Sequence, residues 1–115
     1  MKKKIKLSFI PTNVTFYIGK KEYNKAIKKH NLSNHSMESE DGITLSFSDN
    51  ENFNIYFCVE PTNDIYKDKS VIVHEISHVI DFIFENHHFK CDELRAYLCQ
   101  HIYKESVKFY DKKII

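Results

Sequence analysis

The stretch VIVHEISHVIDFIFE, residues 71–85, is almost wholly apolar, yet two histidines, a glutamate and an aspartate are set into it. Burying such groups is costly unless each is paired or bound. The segment therefore needs a conformation that gathers them at one outlet, and an α-helix provides it. At about 100° per residue, His74, Ser77, His78, Asp81 and Glu85 fall within roughly 50° of their mean direction. Val71, Ile72, Val73, Ile76, Val79, Ile80, Phe82, Ile83 and Phe84 fill the rest of the wheel, which predicts a helix buried on most of its surface. Glu75 stands at the edge of the stripe, about 60° from His78. A solvent-facing stripe usually carries Lys and Glu. Histidines here point to chemistry.

His74-Glu75-Ile76-Ser77-His78 is HExxH. The i, i+4 spacing puts both imidazoles on one face a turn apart, so both can reach one zinc ion. Glu75, one residue after the first ligand, lies beside such an ion and is placed as general base. A catalytic zinc site generally takes three protein ligands and keeps a position for water. Asp81 shares the face but sits seven residues from His74, about 10 Å along the axis, too far for the same ion. It suits a supporting hydrogen bond to a ligand imidazole or a neighbouring loop. The third ligand is expected from a second helix returning antiparallel across the first. Asp92 and Glu93 open that helix in CDELRAYLCQHIY; Asp92 is better used as N-cap, which leaves Glu93.

The remaining sequence predicts a small α+β domain, its sheet mostly antiparallel or mixed, with a backing helix, an HExxH helix and a C-terminal helix. Ile5–Phe9 alternates as a half-buried strand does, and Val14–Ile18 is a second β-branched and aromatic run. Lys20–His30 has Tyr23, Ala26 and Ile27 at helical spacing and is expected to pack on one side of the sheet. Residues 31–42 are polar and turn-rich. Ile43–Phe47 and Phe53–Val59, joined by the turn cluster Ser48–Asn52, predict an antiparallel hairpin. After a loop at Glu60–Asp68, the long helix is expected from about Lys69 to Glu85 with Ser70 as N-cap. A connector at Asn86–Cys91 and a last helix to about Tyr110 complete the chain.

A length of 115 residues bounds the chain to one domain. Seventeen basic residues against 16 acidic leave a net charge of +1, no electrostatic case for nucleic acid or membrane binding. Basic Met1–Lys4 is followed by apolar residues too few and too broken by Lys6, Ser8 and Pro11 for a signal-peptide core, so a cytoplasmic location is expected. Cys58, Cys91 and Cys99, odd in number and without CxxC, read as buried or half-buried free thiols.

HExxH on a buried helix, with a glutamate early in the next, is similar to the gluzincin branch of zinc metallopeptidases. The brevity of the chain looks like the minigluzincins, and HExSHxxDFxxE followed by DExxAY also resembles small zincin-like proteins of bacteria and phages. The similarity spans roughly Ile43–Tyr103; two positions depart from the thermolysin-type pattern, with Asp92 where asparagine stands and Tyr97 where aspartate stands. The resemblance implies Zn2+ held by His74, His78 and Glu93, and peptide hydrolysis through a zinc-activated water with Glu75 as general base. It further implies an oxyanion stabiliser, for which Tyr97 and His101 are placed one and two turns after Glu93, with His87 and His88 in the connector as alternatives. A peptide or protein substrate would add as a strand along an exposed sheet edge, with Ile43–Phe47 the strand expected there. A second expectation keeps the fold and drops the proteolysis, as a binding or accessory protein of a phage or mobile element.

Overall fold

Two β-branched and aromatic runs lie side by side in parallel at the centre of a four-stranded sheet: β2 (Thr12–Ile18) and β4 (Asn52–Val59), with Val14 opposite Ile55 and Phe16 opposite Phe57. A computed structural model describes residues 1–50 and 52–115. β1 (Lys2–Ile5) flanks β2 and β3 (Gly42–Asp49) flanks β4, both antiparallel, in the order β1-β2-β4-β3. The mixed sheet and the β3–β4 hairpin match the sequence expectation. The strands run closer to the turn than expected, pairing Asp49 with Asn52; Glu51, inside the predicted turn cluster, lies outside the described residues.

Side-chain alternation gives the sheet two apolar faces. Val14, Phe16, Ile18, Ile55, Phe57 and Val59 form one face, covered by α2 (Ile65–His87) and α3 (Asp92–Ile114). Phe16 and Phe57 are fully buried there and stack at 4.8 Å. Tyr17 and Cys58 point to the other face, where α1 (Lys20–Lys28) covers them with Tyr23 and Ile27. The helices α2 and α3 run antiparallel, since Asp81 meets Arg95 while Asp68 meets Tyr110 and Lys69 meets Asp111. No helix among the described residues is long and apolar enough to cross a membrane.

Several boundaries differ from the sequence reading. The first strand is Lys2–Ile5, not Ile5–Phe9, because its backbone pairs with Val14–Tyr17 although only Ile5 is buried. Phe9 instead sits in a turn at φ 70°, fully exposed. α2 starts at Ile65, four residues before the expected Lys69. Asp64 is its N-cap, accepting from the backbone N–H of Tyr66 and Lys67, while Ser70 lies inside the helix and donates to the Lys67 carbonyl. Cys91, not Asp92, occupies the N-cap position of α3 and makes no side-chain cap bond; Asp92 is the first helical residue. Cys91 is exposed, unlike the buried or half-buried thiols expected, while Cys58 is buried and Cys99 partly so.

Candidate metal centre

The HExxH segment lies in the middle of α2, and its wheel is realised in part. The polar stripe is where the sequence puts it, but Val73, expected inside, is 52 % exposed, and Glu75, expected at the stripe's edge, is buried. Ile72, Glu75, Ile76, Val79, Ile80 and Ile83 are buried, while His74, Ser77, His78, Asp81 and Glu85 are exposed along one side. His74 and His78 face each other edge to face, with ring centroids 4.9 Å apart, and their Nε2 atoms share a hydrogen bond at 3.3 Å. Two nitrogens on one tetrahedral zinc, each about 2.05 Å from the ion, stand about 3.3 Å apart. The pair therefore has the bite of two zinc ligands, and it opens to solvent.

Glu75 leaves the stripe and turns toward the sheet edge. Only 6 % exposed, it takes a hydrogen bond at 2.6 Å from the Thr44 hydroxyl on β3 to its Oε1. Among the described residues no Lys, Arg or His forms an ion pair with it. Gly42 lets β3 approach: a Cβ there would stand 2.6 Å from Val71 Cγ1 and 2.9 Å from Glu75 Oε2. Sequence reasoning missed Thr44 and Gly42 as neighbours of the site. The signal was present in GITLS, whose Gly42, Thr44 and Ser46 alternate onto one strand face.

The other expected participants are not brought to the histidine pair. Judged by the contacts of Asp81 with Arg95 and Lys69 with Asp111, Glu93 lies on the order of 10 Å beyond His78 along the helix axis. Its side chain and that of Asp92 are exposed at the start of α3. His101 donates from Nε2 to the Lys6 carbonyl at 2.9 Å, in the β1–β2 connection, at the opposite edge of the sheet from β3. Tyr97 stacks parallel to His101 at 6.3 Å and is 59 % exposed. His87 bonds Thr12 Oγ1 at 2.7 Å and stacks on Phe89, and His88 ends α2 in the left-handed conformation. Asp81 bonds Arg95 at 2.9 Å rather than an imidazole or a loop, and the Arg95 guanidinium also lies 4.4 Å over the Phe84 ring.

Two hydrogen-bonded imidazoles thus open to solvent on one helix face, with a buried carboxylate one helical step away. Among the described residues, no three His, Cys, Asp or Glu side chains converge into a metal-holding group. In comparisons with known proteins, no family model matches the chain, and no curated protein or solved structure matches it either.

Proposed function

We propose that this protein is a zinc-dependent peptidase in which His74 and His78 hold the ion and Glu75 is the general base. The observation that carries the reading is the 3.3 Å separation of the two Nε2 atoms, the span of two ligands on one tetrahedral zinc. Zinc bound there would supply Lewis acidity, activating a water and polarising a scissile carbonyl. Glu75 would take the proton of that water and return it to the leaving amine. Thr44 steadies its carboxylate through the 2.6 Å bond to Oε1. Among the described residues no strand lies beside the outer edge of β3, which leaves that edge for an extended peptide to pair with next to Glu75.

A second reading keeps the histidine pair as a zinc site and drops the proteolysis, making the protein a zinc-binding accessory protein. Metal analysis and a peptide-library assay separate the two. The peptidase reading expects one zinc per chain, lost in His74→Ala and His78→Ala, and cleavage that Glu75→Gln abolishes while zinc stays bound. Glu93→Gln is expected to leave zinc affinity unchanged; a tenfold loss would return Glu93 to the ligand set. Zinc bound with no cleavage of any library peptide supports the accessory reading, and a protein that takes up no zinc overturns both.

A further inference from the structure

α1 packs over one end of its sheet face. α1 has nine residues, and its buried Tyr23 and Ile27 lie over Tyr17 and Cys58. By strand alternation the same face continues through Thr15 and Asn13 on β2 and Tyr56 and Asn54 on β4. Lys4 stands beside Thr15 across the β1–β2 pairing. The connection from Lys6 to Pro11 folds up alongside, and the result is an open groove of about 640 Å³. That volume is in the range of sites for small molecules.

The lining has a consistent chemistry. Lys4 and Lys6 supply ammonium groups, and neither is in an ion pair among the described residues. The described lining residues include no Asp or Glu, although the chain as a whole carries 16 acidic residues against 17 basic. Asn13 Nδ2 donates to Asn54 Oδ1 at 3.3 Å and Asn54 Nδ2 to the Asn52 carbonyl at 3.5 Å, and among the described residues the Asn13 side-chain oxygen has no partner. The Tyr56 ring closes one end, held edge-on by Tyr17 and Phe47. Cationic groups at one side, amides across the floor and an aromatic wall suit a ligand with an anionic head and a hydroxylated body. We propose that this groove binds a sugar phosphate, with Lys4 and Lys6 on the phosphate, Asn13 and Asn54 on the hydroxyls, and the Tyr56 ring against the sugar's C–H face.

The groove is on the opposite side of the sheet from α2, so its test is independent of the histidine pair. Calorimetric titration with glucose 6-phosphate and ribose 5-phosphate is compared with glucose, ribose and inorganic phosphate. At least one sugar phosphate is expected to bind saturably and at least tenfold tighter than its parent sugar or phosphate alone. The exposed Lys4→Ala/Lys6→Ala double variant should melt like the parent protein and bind at least tenfold more weakly, and Asn54→Ala should weaken binding while sparing that of inorganic phosphate. No saturable binding by either sugar phosphate, inorganic phosphate binding as tightly as the sugar phosphate, or a smaller loss in the double lysine variant overturns the proposal.

Discussion

Glu75 and Gly42 illustrate how one residue's size sets the reach of another. The carboxylate can lie against β3 only because position 42 has no Cβ, and the added methyl of Gly42→Ala would meet Val71 and Glu75 well inside contact distance. Overpacking of this kind costs about 1–3 kcal/mol, so urea denaturation of Gly42→Ala should show a loss in that range. On the proposed mechanism it should also lower turnover more than substrate affinity, since it displaces the base. Cys58 carries a second residue-level consequence. Burial pushes its thiol from the ordinary 9.0 up to about 12. The unfolded chain's thiol therefore ionises as pH rises past 9 while the folded thiol stays protonated, so stability is fully present below pH 9 and is lost between 9 and 12. The loss is about 1.4 kcal/mol per pH unit from this group. Burial of the Tyr17, Tyr23 and Tyr110 phenols raises their pKa values also and acts in the same direction at higher pH. Denaturation midpoints at pH 8 and 10.5 measure the combined fall; equal midpoints would contradict it.

At the scale of elements, the two long helices are tied at one end by a buried carboxylate. Asp68, 1 % exposed in the first turn of α2, accepts from the Thr62 backbone N–H and hydroxyl and from the Tyr110 hydroxyl of α3. One side chain thus joins the loop before α2, the start of α2 and the end of α3. Tyr110→Phe keeps the packing and removes a bond to an acidic group, with an expected cost of about 1.5–3 kcal/mol. Because the bond clamps the helix ends, hydrogen exchange should quicken in the last turns of α3 and the first of α2, with the sheet unaffected. The hairpin strand β3 divides its side chains differently. Ile43 and Leu45 pack with the α1 side, leaving Gly42, Thr44 and Ser46 for the side of α2. That polar row is what Glu75 meets.

Over the whole molecule, stability rests on the larger of the two cores, where the parallel pairing of β2 with β4 stacks Phe16 on Phe57 beneath the helices. Phe57→Ala should cost about 3–5 kcal/mol, a loss that thermal melting would register as a large fall in Tm. Much of this arrangement was legible in the residues. The α2 wheel, the β3–β4 hairpin and the helix packed behind the sheet follow from local periodicity, which depends on neighbours in the chain. β1 was misplaced because three of its four residues are exposed lysines, so its place in the sheet comes from backbone pairing and leaves no apolar alternation to read. The start of α2 was misjudged because both Asp64 and Ser70 can cap a helix and the fold uses Asp64; α3 begins one residue earlier than read, with Cys91 at a cap position that no side-chain bond marks. By itself, then, the sequence determined that His74 and His78 share a helix face one turn apart and that Glu75 stands a step aside, since a helix's pitch dictates both. Tertiary structure alone decided that β3 lies against Glu75, that Arg95 claims Asp81, and that Glu93, Tyr97 and His101 stay away from the pair. Those outcomes depend on how α3 slides and turns against α2 and the sheet, and that register is set by non-local packing that no single segment encodes.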